Sequence, residues 1–133
     1  MKNRSLIYWT LVISLITFSQ ALLAEQDTSI RAAMRAAGEA AFMHRCKACH
    51  SLDPAKNAFG PSLIGVVGRP AGTLPRYSYS KAMVNSNLVW NEENIRKWVA
   101  DNVKLVPGTR MRHVAITDET EQSFIIEFLR SLK

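Results

Sequence analysis

Cys46-Lys47-Ala48-Cys49-His50 places both cysteines of the 133-residue chain directly before a histidine. This is the C-x-x-C-H pattern of covalent haem attachment. One helical turn between the cysteines lets both thiols reach the two vinyl groups on one edge of a porphyrin, and the next residue points an imidazole at the iron. The pattern predicts one haem c bound by Cys46 and Cys49, with His50 as an iron ligand.

Three other interpretations of the two cysteines are weaker. An exported protein with two cysteines usually forms a disulfide, but the close spacing argues against one here. A redox pair of the thioredoxin kind normally opens a helix after a strand, and no strand pattern precedes Cys46. A structural zinc site needs a second pair of ligands, and the chain has no further cysteine.

An iron that only exchanges electrons needs a sixth ligand, because an open position invites oxygen or peroxide. The candidates are methionines and histidines outside the motif: Met34, Met43, Met83, Met111, His44 and His113. Met111 differs from the other methionines, which lie in predicted apolar helices, because it follows the turn Pro107-Gly108 on a segment free to cross the opposite haem face. The two histidines are predicted to be surface residues.

The rest of the chain predicts helices and loops. Helices are predicted over residues 27–45 with Thr28 or Ser29 as the cap, over 80–86, after a cap at Asn91, and from a cap at Thr117 or Asp118 to the end. Prolines and glycines recur between residues 52 and 76, which indicates a wrapping loop. No alternating stretch is long enough to predict a strand. The expected fold class is all-α, with four to five helices and long loops around one haem.

The amino terminus resembles a secretory signal peptide. Lys2 and Arg4 precede an apolar run, and Ala24 offers a cleavage point. Residues 1–24 are therefore predicted to be a signal peptide, and residues 25–133 to be the functional domain. The alternative is an uncleaved anchor, since a membrane-spanning helix needs roughly 20 apolar residues.

Both alternatives predict export of the domain, with the basic end left in the cytoplasm. In a bacterium this means the periplasm, with the domain free after cleavage or tethered to the inner membrane without it. The formal charge is +6 for the whole chain. It falls to +4 without residues 1–24, because that segment holds two bases, Lys2 and Arg4, and no acid.

Beyond the haem motif, the chain resembles the class I cytochromes c, the small proteins related to mitochondrial cytochrome c, over nearly its whole predicted domain. The segment 38–42 is similar to the family's first helix, which implies that Gly38 allows a close crossing by the last helix, with Phe128 as the aromatic partner. Gly60-Pro61-Ser62-Leu63 resembles the family's proximal segment, which implies that the Pro61 carbonyl accepts a hydrogen bond from the His50 ring.

The resemblance also implies a distal ligand and a haem environment. The segment 106–111 is similar to the family's distal loop, which implies Met111 as the iron ligand. The other residues implied to surround the haem, mainly its propionates, are Arg69, Tyr79, Trp90 and Thr109. Trp98 stands where the family often has a tyrosine, and this change predicts a more apolar distal pocket.

The expected function is one-electron transfer between exported redox proteins, such as oxidase or reductase complexes of a respiratory chain. A basic rim around the haem edge is predicted to steer docking, and it comprises Lys47, Lys104, Arg110 and Arg112. Two alternatives stay open at this point. A labile distal ligand would allow a peroxidase or gas-binding protein, and an uncleaved anchor would suit a tethered subunit of a respiratory complex.

Overall fold

The structure is a computed structural model that describes residues 3–53, 55–56 and 58–133, with side chains described from Gln20 onward except at residues 21 and 22. The described residues form five helices: α1 (Asn3–Arg45), α2 (Lys81–Val84), α3 (Glu92–Ala100), α4 (Asn102–Leu105) and α5 (Glu119–Ser131). An isolated antiparallel bridge joins Pro70 to Val89. The predicted all-α class is confirmed.

The chain has two compact units, residues 1–33 and residues 34–133. The predicted leader, residues 1–24, lies largely outside the described side chains, and residues 1 and 2 lie outside the description altogether. Among the described residues, no helix has both the length and the apolar character needed to span a bilayer.

The predicted start of the first helix near residue 27 is wrong, because α1 already includes the residues before it. Thr28 and Ser29 do not cap this helix. Their hydroxyls donate to the carbonyls of Glu25 and Gln26, three residues earlier, at 2.7 and 2.9 Å. A serine or threonine inside a helix can bond back to the preceding turn in this way, so its presence alone does not mark a helix start.

In the second unit, residues 34–45 of α1 pack closely against α5. Phe42 is fully buried, and its ring centroid lies 5.3 Å from that of Phe128. A Cβ added at Gly38 would lie 1.9 Å from the Phe124 carbonyl oxygen and 2.8 Å from Phe128 Cβ. The predicted crossing is therefore confirmed, and it requires a residue without a side chain at Gly38.

The later helices begin at side-chain caps. Asn91 accepts a hydrogen bond from the Asn94 amide at the start of α3, and Asp118 accepts one from the Glu121 amide at the start of α5. Both caps agree with the predictions. α2 begins after Ser80, as predicted, but ends at Val84, before the predicted end at residue 86. The four-residue α4, capped by Asp101, was not predicted, because one helical turn is too short to show a periodic apolar pattern.

A long irregular segment joins α1 to α2, as predicted from its prolines and glycines. Its described residues are held by backbone bonds to the strand-like segment before α3. The Gly68 amide donates to Trp90 O at 3.0 Å, the Trp90 amide to Arg69 O at 3.0 Å, and the Ala71 amide to Leu88 O at 2.8 Å. This pairing brings the middle of the loop beside Trp90.

One apolar core lies within the second unit. Its buried residues come from α1, α2, α3, α5 and the loops: Phe42, Val66, Ala71, Met83, Ile95, Trp98, Val99, Val106, Ile116, Ile125, Ile126, Phe128 and Leu129. Cys46, Tyr79, Trp90 and Met111 pack against this core while remaining partly exposed. The core thus contacts residues that the sequence predicted on both sides of a haem, Cys46 on one side and Met111 on the other.

Candidate functional site

The cysteine motif forms a turn that continues from α1. The amides of Cys46 and Lys47 donate to the Phe42 carbonyl, and the amides of Cys49 and His50 donate to the Cys46 carbonyl at 3.0 and 2.9 Å. This turn places the two thiols and the imidazole within one short, hydrogen-bonded stretch of backbone. Both cysteines are free, so no disulfide joins them.

The two thiols lie in different surroundings. Cys46 packs against the core and is partly buried, whereas Cys49 is exposed. Burial raises the pKa of the Cys46 thiol to about 11, and the nearby Arg45 guanidinium opposes that rise. Without haem, the Cys46 thiol is therefore neutral at physiological pH, and it packs against the apolar core.

One side of the His50 ring is held by Gly60 and Pro61, in the loop that follows the cysteine motif. His50 is buried, and its Nδ1 lies 2.8 Å from the Pro61 carbonyl oxygen. A carbonyl can only accept, so Nδ1 carries the proton and Nε2 of the neutral ring has its lone pair available. The predicted contact between His50 and Pro61 is present.

The space beside the His50 ring admits only glycine. A Cβ added at Gly60 would lie 2.4 Å from His50 Cε1 and 2.7 Å from Nδ1. The Gly60 amide also donates to the Cys49 carbonyl at 2.7 Å. Burial lowers the pKa of His50, the Pro61 bond partly offsets this, and the charge of His113 lowers it further. The ring is therefore an oriented, neutral donor.

The predicted distal residue, Met111, follows a sharp turn. The Thr109 amide donates to the Val106 carbonyl at 3.1 Å, and Gly108 has φ +87°, as the second corner of a type II turn requires. Met111 packs against the core. Thr109 is buried, and its hydroxyl is 3.4 Å from the Met111 amide.

Asn102 is a residue of this region that sequence reasoning missed. It is buried, and its side-chain amide donates to the Met111 carbonyl at 2.8 Å. The Ile116 amide donates to the Val99 carbonyl at 2.9 Å further along the segment. The backbone at Met111 is thus held from α4 and the following chain from α3. In the sequence, the only sign of this contact is an asparagine directly after the Asp101 cap.

His113 is not the surface residue that the sequence predicted. It is half-buried, its Nε2 lies 3.0 Å from the Val99 carbonyl oxygen, and its Nδ1 is buried. The irregular segment between Met111 and α5 turns inward here because Ile116 is buried against α3. His44, the other histidine outside the motif, is exposed as predicted.

Three of the predicted haem-environment residues lie together. Arg69 and Trp90 are joined through their backbones, and the Arg69 charge acts on Tyr79, whose pKa is raised by burial and partly lowered by that charge. The Arg69 guanidinium donates to the carbonyls of Ile64 and Ser62 at 3.0 and 3.2 Å. Trp98 is buried, and its ring centroid lies 5.2 Å from that of Trp90.

The four residues of the predicted basic rim, Lys47, Lys104, Arg110 and Arg112, are all exposed. Arg110 donates to the Ser78 carbonyl, and Arg112 donates to the carbonyls of Thr109 and Met111 at 2.8 and 3.1 Å. None of the four forms an ion pair with a carboxylate in the part of the chain that the structure describes. Their charges are therefore not neutralised by a described carboxylate.

The residues fit a covalently attached haem. Two free thiols precede an imidazole whose Nδ1 is bound to a carbonyl, which is the usual way in which a metal-ligating histidine is oriented. The core lies against these groups and against Met111. Among the described residues, no group of three or more His, Cys, Asp or Glu side chains could hold a metal ion, so the zinc alternative has no ligand set there.

Comparison with known proteins agrees with this fit. The profile of the family described as cytochrome c matches residues 35–133. The chain is 40% identical over 88 residues to cytochrome c2 iso-2 of Magnetospirillum molischianum, a match that covers 66% of this chain and 91% of that protein. It is 36% identical over 116 residues to cytochrome c2 of Blastochloris viridis, covering 86% of this chain and 91% of that protein.

A solved structure is also similar. Cytochrome cH from Methylobacterium extorquens matches with a TM-score of 0.68 and 43% sequence identity, and the match covers 72% of this chain and 96% of that one. The helical fold, the geometry of the cysteine motif and these similarities all indicate a c-type cytochrome. None of them supports the peroxidase alternative. The chain belongs to the cytochrome c family: it is a c-type cytochrome with one covalently bound haem c, an electron carrier and not an enzyme.

Proposed function

We propose that this chain is an exported carrier of single electrons in which Cys46 and Cys49 bind the haem and His50 and Met111 are the axial ligands of its iron. The observation that carries this proposal is the orientation of His50. Its ring is bound to Pro61, is packed against Gly60, and follows the cysteine pair by one turn. A bound haem supplies an iron that can cycle between ferrous and ferric states.

Each ligand has a distinct task. The Pro61 carbonyl holds the His50 proton on Nδ1, which keeps Nε2 free and strengthens it as a donor. Met111 offers a soft, neutral sulfur that favours ferrous iron and raises the reduction potential relative to a second histidine. With both positions filled by side chains, electrons can be exchanged with little ligand rearrangement.

The residues around the proposed haem have assigned roles as well. We assign Tyr79 and Trp90 as hydrogen-bond donors to the propionates, Arg69 as a compensating charge, and Thr109 as a further polar neighbour. Trp98, buried edge-on against Trp90, makes the distal side apolar. An apolar distal side disfavours the more charged ferric form and therefore supports a high reduction potential.

The ligand assignment is tested by changing Met111 to alanine. We expect wild-type ferric protein to show the weak absorption band at the red edge of the visible spectrum that sulfur ligation gives. Met111→Ala should lose that band, and its reduction potential should fall by on the order of 100 mV, since axial ligands set potentials over about 0.8 V. Optical titration measures both quantities.

Met83→Leu is the matched control for this test. Met83 is buried in the core at α2, so its replacement keeps an apolar side chain and should leave the band and the potential unchanged. A band that survives in Met111→Ala, or that disappears in Met83→Leu, would contradict Met111 as the distal ligand.

We further propose that the basic rim docks on an acidic face of a redox partner such as an oxidase or reductase complex. The four charges are exposed, and Arg110 and Arg112 flank the proposed distal ligand. Screening at physiological salt acts over about 8 Å, so steering of this kind weakens as salt rises. The rate of electron transfer to a partner should fall with ionic strength, most for wild type and less for Arg110→Gln/Arg112→Gln. A flat salt profile would remove the steering proposal.

The compartment follows from the predicted leader. We propose that residues 1–24 direct export to the bacterial periplasm and are removed after Ala24, which leaves residues 25–133 as the mature cytochrome. Retention of the segment would instead tether the same domain to the inner membrane. Sequencing the amino terminus of the exported protein distinguishes the two outcomes.

A further inference from the structure

His113 carries an unsatisfied nitrogen inside the protein. Its Nδ1 is buried and has no hydrogen-bond partner, and among the described residues it is the one buried side-chain nitrogen or oxygen of which this holds. Leaving a buried polar atom without a hydrogen-bond partner destabilises the folded protein. Such an atom therefore indicates a group that it serves in the complete protein.

The chemical state of this nitrogen follows from the other side of the ring. His113 Nε2 lies 3.0 Å from the Val99 carbonyl oxygen, which can only accept, so Nε2 carries the proton. In the neutral ring the lone pair is then on Nδ1. A histidine that ligates a metal usually has this arrangement, with one ring nitrogen bound to a carbonyl and the other free.

His50 repeats the arrangement with the nitrogens exchanged, since its Nδ1 is bound to Pro61 and its Nε2 is free. The two rings are near enough to interact electrostatically, since a positive charge on His113 lowers the pKa of His50. Met111, two residues before His113, packs against the apolar core. His113 is thus close in sequence to the proposed distal ligand, interacts with the proposed proximal one, and has its Nδ1 shielded from solvent.

The segment that carries both residues is irregular, and the Met111 carbonyl accepts hydrogen bonds from the Asn102 side-chain amide and the Arg112 guanidinium. Residues 109–118 form no helix or strand, and the Met111 amide has only a long contact of 3.4 Å with the Thr109 hydroxyl. One hydrogen bond, to Val99, fixes the His113 ring. Exchange of one side chain for the other thus moves a segment that has no regular secondary structure.

We propose that His113 is a second distal ligand, which binds the haem iron through Nδ1 when the Met111 sulfur is released or removed. The proposal rests on the proposed function, in which Met111 is the first distal ligand. The exchange breaks one iron–sulfur bond and forms one iron–nitrogen bond. In the neutral tautomer that the Val99 contact selects, it moves no proton, and it leaves the oxidation state of the iron unchanged.

The two ligands favour different oxidation states. Thioether sulfur is a soft donor that stabilises ferrous iron, while imidazole nitrogen is harder and stabilises ferric iron better. His113 therefore takes over most readily in the ferric protein. Its presence would protect the iron from exogenous ligands whenever Met111 is lost, for example after oxidation of the sulfur.

The experiment compares three haem-loaded ferric proteins: Met111→Ala, Met111→Ala/His113→Phe and Met111→Ala/His44→Phe. Electron paramagnetic resonance reports the spin state, and circular dichroism confirms that each variant is folded. We expect Met111→Ala to be mainly low spin and Met111→Ala/His113→Phe to be mainly high spin. The control with His44→Phe, which removes an exposed histidine, should stay low spin.

A second measurement uses added imidazole as a probe. If His113 occupies the iron in about nine molecules of ten, removing it should tighten imidazole binding about tenfold, because only the unoccupied fraction can bind. The same comparison in Met111→Leu and Met111→Leu/His113→Phe keeps the apolar volume at position 111. This pair decides the question if the alanine variants do not fold.

Three results would overturn the proposal: a high-spin Met111→Ala, a double variant with His113→Phe that stays low spin, or equal imidazole affinities in each pair. The first means that water fills the position, and the second means that another side chain does. Failure of the proposed function itself gives a different result, since wild-type protein would then lack the red-edge absorption band.

Discussion

Gly38→Ala is expected to lower the free energy of unfolding by about 3 kcal/mol or more, at the upper end of overpacking effects. Taken alone, the helix would gain about 1 kcal/mol from the change, because alanine is the better helix former. The added Cβ would instead lie 1.9 Å from the Phe124 carbonyl oxygen, which is backbone and cannot turn away. The two helices must separate, and the Phe42–Phe128 contact is lost. Denaturation of the haem-loaded protein by guanidinium measures the change.

Glu39→Ala provides the matched control for Gly38→Ala. Glu39 is the exposed neighbour on the same helix, and its replacement should change stability by no more than about 0.5 kcal/mol. If Gly38→Ala were as stable as wild type, the close crossing of α1 and α5 would not exist in solution.

Gly60→Ala is expected to displace the proposed proximal ligand. The new methyl group would lie 2.4 Å from His50 Cε1, so the ring must rotate and lose its bond to the Pro61 carbonyl. We expect part of the ferric protein to become high spin and the unfolding free energy to fall by about 1–3 kcal/mol. Electron paramagnetic resonance and guanidinium denaturation measure these effects.

Phe59→Ala tests whether the effect at Gly60 is specific. Phe59 is the preceding residue and is 88% exposed, so removing its ring takes little from the core. It should leave the spin state unchanged. A low-spin Gly60→Ala with wild-type stability would show that the His50 ring has more space than the structure gives it.

The local features of the fold could be predicted from the sequence because they depend on neighbours in the chain. The cysteine motif, the caps at Asn91 and Asp118 and the turn at Gly108 are all of this kind. The start of α1 was predicted wrongly for the same reason. Thr28 and Ser29 suit a helix cap, but they also suit a helix interior, where their hydroxyls bond to the preceding turn. Only the surrounding chain decides between the two.

The site was predictable where a resemblance supplied the distant partners. The Pro61 contact and the crossing at Gly38 join residues far apart in sequence, and no periodicity relates them. Asn102 and His113 show the limit. Their burial depends on how the segment after the Gly108 turn returns toward α3, which is set by packing around Ile116 and not by any pattern near either residue.

The proximal side of the site also bears on the speed of electron exchange. The end of the cysteine motif is joined to the next loop by two short bonds, from Gly60 to the Cys49 carbonyl at 2.7 Å and from His50 to the Pro61 carbonyl at 2.8 Å. If His50 is the iron ligand, as proposed, an imidazole fixed in this way means that nuclei near it need move little when an electron arrives or leaves. A small reorganisation energy lets transfer proceed quickly even between partners of nearly equal potential.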